Sequence, residues 1–404
     1  MSLHLDLSRG KPSKEQLDLS VKMLDVLNSN SVLDSEDGTD CRNYGGADGI
    51  VEAKKLMADL IDVSPAQVMV FDNSSLNLMF QVLAHAMIDG LSGCEPMLLQ
   101  KKRKFLCPAP GYDRHFAITE RFGFELITIP MREDGPDMDM VREYVENDDT
   151  VKGIWCVPKY QNPTGVVFSD EVVHAFARLN PKAADFRIFW DNAYCVHCLY
   201  PGEDVKIPDI LSLCEEAGHP DMVYEFCSTS KISFAGDGIS AVASSQSNLA
   251  DLRNYLKYET IGPDKINQLR HVRYFRNVQG IHAQMKKHAD ILRPKFEMVE
   301  KVLEEELGGL GIAEWNNPKG GYFISLNTRP GCAKEVVRLC QEAGVKFTAA
   351  GATFPYGHDP EDRNLRLAPS FATLEEIEQA TRILASCIKE ASGVNIDSDV
   401  RDAV

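Results

Sequence analysis

The sequence predicts an α/β protein with a mostly parallel sheet covered by helices on both faces, followed by a second, smaller α/β unit. Two observations carry that reading. Through the middle of the chain, short apolar runs rich in β-branched and aromatic residues alternate with amphipathic stretches, the order that βα crossovers impose. After Ser247 the pattern changes to long polar helices and then to a few further strands, as expected of a separate unit joined on by a helix.

Six segments of the first unit read as strands: QVMVFD, KFLCPAP, FELITIP, VKGIWCVP, RIFWDNAY and MVYEFCSTS. Each is short and apolar and is closed by polar or turn residues. Between them GIVEAKKLMADLI, SLNLMFQVLAHAMIDG, DMDMVREYVEN and DEVVHAFARLN repeat apolar residues at helical spacing. ADLRNYLKYETIG and HAQMKKHADILRPKFEMVEKVLEEEL are the long polar helices. GGYFISLN, VKFTAAG and NLRLAPS then read as strands, with helices at AKEVVRLCQEAG and LEEIEQATRILASCIKEA. SGVNIDSDVRDAV at the end has no periodicity and is expected to be a mobile tail.

A chain of 404 residues, 44% of them apolar, has ample material for a core. Its formal charge of -17 argues against nucleic acid or an anionic membrane as partner, since both require basic surface. The one basic cluster, KKRK at Lys101 to Lys104, runs straight into a strand and reads as its solvated entry. Neither a leader pattern nor a span-length apolar run is present, so a soluble cytoplasmic protein is expected. Eleven cysteines scattered through apolar segments read as reduced core thiols. Cys195-Val-His-Cys198 has metal or redox spacing but no second pair, and no metal site is expected.

Ligands of parallel sheets gather at the carboxyl ends of the strands. There, Lys231 follows a buried strand and sits among hydroxyls and glycines in EFCSTSKISFAGDG. An ammonium taken out of water loses affinity for its proton and becomes a nucleophile towards carbonyls, although a lysine near serines is also an ordinary loop residue. Asp191 closes RIFWD and could hold a metal, pair with a buried cation or cap a helix. Asn162-Pro163, in VPKYQNPTG, begins a turn that leaves the amide above the sheet. In DNSSLN, Ser74 and Ser75 open a helix, which suits either an anion site or a plain cap.

Taken together and in this order, from Arg9-Gly-Lys-Pro12 to Asn364-Leu-Arg-Leu-Ala-Pro369, the motifs resemble the fold-type I aminotransferases that use pyridoxal 5′-phosphate. The resemblance implies a seven-stranded, mostly parallel sheet in a large domain over residues 45–290, with a small domain built from 1–44 and 291–404. It implies that Lys231 holds the cofactor aldehyde and then moves the substrate's α-proton, while Asp191 keeps the pyridine nitrogen protonated. Asn162 and Tyr194 would bond the ring's phenolic oxygen, Tyr112 would stack on the ring, and Ser74, Ser75 and Ser228 would hold the phosphate. Arg366, with Asn162 and Gly10, would take the substrate α-carboxylate. Tyr44 would reach the phosphate in a neighbouring subunit, implying a homodimer with shared sites.

The implied reaction is ping-pong transfer of an amino group between an amino acid and a 2-oxo acid, with aspartate and 2-oxoglutarate expected. Arg9, Lys11, Arg42 and Lys159 are the candidates for a substrate's second carboxylate. One departure stands out: the family's phosphate-binding arginine, some seven or eight residues after the lysine, is missing in ISFAGDGIS around Gly238. With VPKYQNPTG and DNSSLN, this looks like the divergent bacterial aspartate aminotransferases related to MocR-type proteins. An aromatic or kynurenine-type aminotransferase, or a lyase, would share the same core residues. A cofactor-sensing regulator would need a basic DNA-binding module, for which the sequence leaves no room.

Overall fold

The structure, a computed structural model, describes residues 5–394, so the expected tail lies outside the described residues from 395 onward. The strands are β1 (Leu5–Asp6), β2 (Val68–Phe71), β3 (Lys104–Ala109), β4 (Glu125–Arg132), β5 (Gly135–Pro136), β6 (Val151–Cys156) and β7 (Arg187–Asp191). They continue as β8 (Val223–Ser228), β9 (Ser240–Ala243), β10 (Ala313–Trp315), β11 (Ile324–Thr328), β12 (Val345–Lys346) and β13 (Asn364–Leu367). The helices are α1 (Lys14–Asp18), α2 (Val51–Ile61), α3 (Ser75–Ile88), α4 (Asp113–Arg121), α5 (Met138–Asn147) and α6 (Asp170–Ala177). They continue as α7 (Ile210–Glu216), α8 (Gln246–Leu256), α9 (Lys265–Phe275), α10 (Val278–Leu307), α11 (Ala333–Glu342) and α12 (Leu374–Ala391). No helix among them is long and apolar enough to cross a membrane.

The main sheet runs β2-β9-β8-β7-β6-β3-β4-β5. Only β9 and β5 point against the rest. Every residue of β6, β7 and β8 is buried, as strands covered on both faces must be. Alternate side chains feed two cores: Phe105, Trp155, Phe189, Tyr224 and Phe226 on one face, and Leu106, Ile154, Ile188, Trp190 and Val223 on the other.

The sheet has eight strands rather than seven, because the two-residue β5 folds back onto β4 beyond the expected edge. The four-residue β9, SAVA, is too short to show a period, and it fills the position between β2 and β8. The expected strand VKFTAAG contracts to β12, which pairs only with β1.

A third core gathers α10, α11, α12, β11 and β13 around Leu303, Ile324, Leu326, Val336, Leu384 and Ile388. Of residues 1–44, Leu5 and Leu7 pack in this smaller unit, whereas Leu27, Leu33 and Cys41 pack with the main sheet. Tyr194 and Leu199 also belong to the smaller core although they follow β7. Backbone hydrogen bonds from Leu199 to the Lys319 carbonyl (2.8 Å) and from Gly321 to the His197 carbonyl (2.9 Å) tie that turn to the stretch before β11.

Candidate active site

Where β2, β3, β6, β7 and β8 end, the chain encloses a cavity of about 590 Å³, roofed by residues 8–11, 346–349, Phe323 and Arg366 of the smaller unit. Ser74, Ser75, Tyr112, Asn162, Asp191, Tyr194, Ser228, Lys231, Arg366 and Gly10 all line it. Tyr44 does not; it is 79% exposed beside a second cavity that includes Arg42 and residues 259–266. Gly10 is required by packing, since a Cβ there would sit 2.4 Å from Cζ of Phe323.

At the floor, β7 delivers Asp191 with only 4% exposure. One carboxylate oxygen, Oδ2, contacts His115 Nε2 at 3.0 Å. The other, Oδ1, is buried without any partner, a costly arrangement unless a donor arrives from the cavity. His115 is itself fixed by stacking on Trp155 at 4.3 Å and by an edge contact with Tyr112 at 4.9 Å. Lys231 follows β8, its Nζ 5.0 Å from the centre of the Tyr194 ring. Burial pulls its amine below the ordinary lysine range, and the Asp191 carboxylate opposes the shift only in part. Tyr194 is pushed well above the ordinary phenol range, chiefly by burial. Tyr112 rises to about 12, again by burial first and then by the charges of Asp191 and Asp113.

At the opposite wall, β13 presents Arg366 with 7% exposure. Its Nη1 donates to Asp113 at 2.8 Å and to Asn162 Oδ1 at 3.3 Å. Near α3, Ser74 occupies the N-cap position but its hydroxyl makes no capping bond, so an oxygen that usually closes a helix is free here. Ser230 donates to Asn73 Oδ1 at 2.6 Å, and the Asn73 amide reaches the Ala235 carbonyl at 2.8 Å. Gly238 packs against this pair, where a Cβ would meet Asn73 Oδ1 at 3.0 Å. Close packing of Asn73 and Ser230 therefore occupies the place where the resemblance leads one to look for an arginine.

Of the four candidate cations for a second carboxylate, Arg9 and Lys11 line the cavity. Arg42 is exposed and paired with Asp40, and Lys159 is buried against the Cys195 carbonyl and Asp204. Arg114 and Lys346 also line the cavity without any sequence signal that marks them. Reading the sequence likewise missed Asp113 and His115, whose partners lie 253 and 76 residues away. The only available cue was their place in the same helical turn as Tyr112. Among the described residues no cluster of His, Cys, Asp or Glu is placed to hold a metal ion.

Below Asp191 lies a carboxyl outside the cavity. Glu225 is buried and accepts a hydrogen bond from Asn192 at 2.9 Å. Burial raises it from 4.5 to about 8. The folded state therefore favours the protonated form: its contribution is full below about pH 4.5 and is lost as pH rises through about 8. Glu225→Gln should melt progressively higher than wild type from pH 5 to pH 8, gaining up to about 1.4 kcal/mol per pH unit. A constant difference across that range would show that Glu225 does not titrate there.

The aspartate amino-transferase family model matches residues 1–398. An aspartate aminotransferase of Corynebacterium glutamicum is 47% identical over 96% of this chain and 89% of its own length. A crystal structure of an aspartate transaminase from that organism superposes with a TM-score of 0.94 at 47% identity, covering 96% of this chain and 92% of the other. The α-aminoadipate aminotransferase LysN of Thermus thermophilus, solved in complex with N-(5′-phosphopyridoxyl)-L-leucine, has a TM-score of 0.75 and covers 97% and 94%; at 20% identity that likeness is one of fold. With a half-buried lysine, an aspartate and an arginine lining one cavity, on a chain matched almost end to end, this protein belongs to the aspartate amino-transferase family.

Proposed function

We propose that the protein transfers the amino group of aspartate to 2-oxoglutarate with pyridoxal 5′-phosphate as cofactor. The observation that carries this reading is the presence of Lys231 and the unsatisfied Asp191 Oδ1 in one cavity. A pyridinium N–H is the kind of donor that oxygen lacks, and the uncapped Ser74 hydroxyl at the start of α3 suits a phosphate. Bound there, the cofactor supplies an aldehyde for amines and a ring that withdraws electrons.

The chain's own residues do the rest. Lys231, its proton affinity lowered by burial, is the amine suited to accept the proton from the substrate's Cα and to return it. Asp191, oriented by His115, would offer its free Oδ1 to the pyridine nitrogen. Asn162 and Tyr194 offer an amide and a phenol at the cavity wall for the ring hydroxyl. Arg366 takes the α-carboxylate, and Arg9, Lys11, Arg114 and Lys346 supply positive charge for a second one. With no arginine in the segment around Gly238, and Arg270 paired with Asp237 outside the cavity lining, Ser75, Ser228 and the start of α3 are left to hold the phosphate. The exposed Tyr44, with Tyr258 at 83% and Ile261 at 65% exposure, favours burial against a second copy, so a homodimer forms the working unit. Its eleven unpaired cysteines suit the reducing cytoplasm.

The test is the visible spectrum of the purified protein given pyridoxal 5′-phosphate. Absorbance that bleaches with L-aspartate and returns with 2-oxoglutarate supports the reading. A bound chromophore indifferent to aspartate rules out this donor, and turnover without any oxo acid would identify a lyase instead. Arg366→Gln should raise KM for both substrates by about 100-fold, the worth of two charge-assisted hydrogen bonds; unchanged KM values would remove its assigned role.

A further inference from the structure

The guanidinium of Arg366 already holds a carboxylate. Asp113 Oδ1 lies 2.8 Å from Nη1, and Asp113 is the first residue of α4, directly after Tyr112. The two partners differ in their access to water: the Arg366 side chain is 7% exposed and that of Asp113 35%. Arg366 is under-used as a donor, because Nε has no partner and Nη2 reaches only Thr348 Oγ1 at 3.5 Å. A planar fork with five N–H groups matches a carboxylate through two parallel bonds, whereas Asp113 engages a single nitrogen.

We propose that Asp113 is a built-in competitor for the substrate α-carboxylate, occupying Arg366 in the free enzyme and giving it up when substrate binds. This rests on the reading of Arg366 as the α-carboxylate site. A buried guanidinium without a counter-charge is strongly disfavoured, so a removable internal carboxylate stabilises the free protein. Its removal is feasible because Asp113 is already open to water on one side, while Arg366 stays in place on β13 under the Phe323 ring at 5.0 Å. The exchange is also communicated: Asp113 is bonded in sequence to Tyr112, and His115, two residues on, touches Asp191.

The experiment uses enzyme loaded with pyridoxal 5′-phosphate and the variant Asp113→Asn, with Asp113→Ser as a second variant should the first fold poorly. KM for L-aspartate and for 2-oxoglutarate, and the inhibition constant of succinate, should each fall about tenfold, the worth of one competing charge-assisted hydrogen bond. The melting temperature should fall as well, because Arg366 loses its internal partner. Tighter ligand binding in a less stable protein is a combination that a merely structural aspartate does not give. If the KM values rise or stay the same, Asp113 is a scaffold for Arg366 and the proposal fails. It also fails if Asp113→Asn lowers KM equally in an Arg366→Gln background, since the effect would then be general charge repulsion. Wild-type KM values for Arg366→Gln alone would remove the underlying α-carboxylate reading, and the competitor with it.

Discussion

Lys231→Ala should fold, bind cofactor without a covalent link and lose transamination by at least about 10⁴-fold, the upper range for a positioned acid-base group. The amine is positioned by the end of β8 and lies in a desolvated setting beside Tyr194. The other lysines of the cavity are engaged elsewhere: Lys11 lies 3.8 Å from the Phe371 ring, and Lys346 sits on the two-residue strand β12. Borohydride treatment of loaded wild type should fix the cofactor's mass on the peptide containing Lys231, and the variant should show no such adduct. A small exogenous amine should restore part of the lost rate. An adduct at a different lysine, or a variant with more than a tenth of wild-type turnover, would overturn the assignment.

Asp191→Ala should cost about 10³-fold in kcat, because a charge preorganised in a dry site is among the largest contributions to a rate. The same change strands His115 Nε2 at a position with 1% exposure. It should therefore also lower stability by about 1–3 kcal/mol, the penalty for a buried donor or acceptor left alone. Asp191→Asn separates the two effects by keeping a partner for His115 while removing the charge. Its melting temperature should stay near that of wild type while kcat remains low. If Asn restores turnover, the charge is not what matters.

The sheet was legible in the sequence wherever both faces of a strand are buried. RIFWD, VKGIWC and the run through EFCS each centre on large apolar or aromatic residues with no helical spacing, and such short runs admit few other readings. β5 and β9 were not, because two and four residues hold too little pattern to separate a strand from a loop. Helix α4 was hidden for a different reason. Tyr112, Asp113 and His115 in its first turn face the cavity or its floor, so polar residues occupy positions that would otherwise be apolar. The resemblance located Lys231, Asp191, Asn162 and Arg366 because each lies in a local motif. The partners that tune them come from elsewhere in the chain, and contacts across 253 or 76 residues leave no local trace. The cavity-lining roles of Arg114 and Lys346 are of the same kind, set by folding rather than by spacing.

The hydrogen bonds joining Leu199 to Lys319 and Gly321 to His197 have a mechanical meaning. They couple Tyr194 to the body made by α10, α11 and α12, while Lys231 and Asp191 are anchored in the main sheet. The turn after β7 is thus shared between two cores: Asp191 ends a strand of the main sheet, and three residues later Tyr194 packs in the smaller core. The contact of Lys231 Nζ with the Tyr194 ring, 5.0 Å to its centre, is therefore a place where the two cores meet.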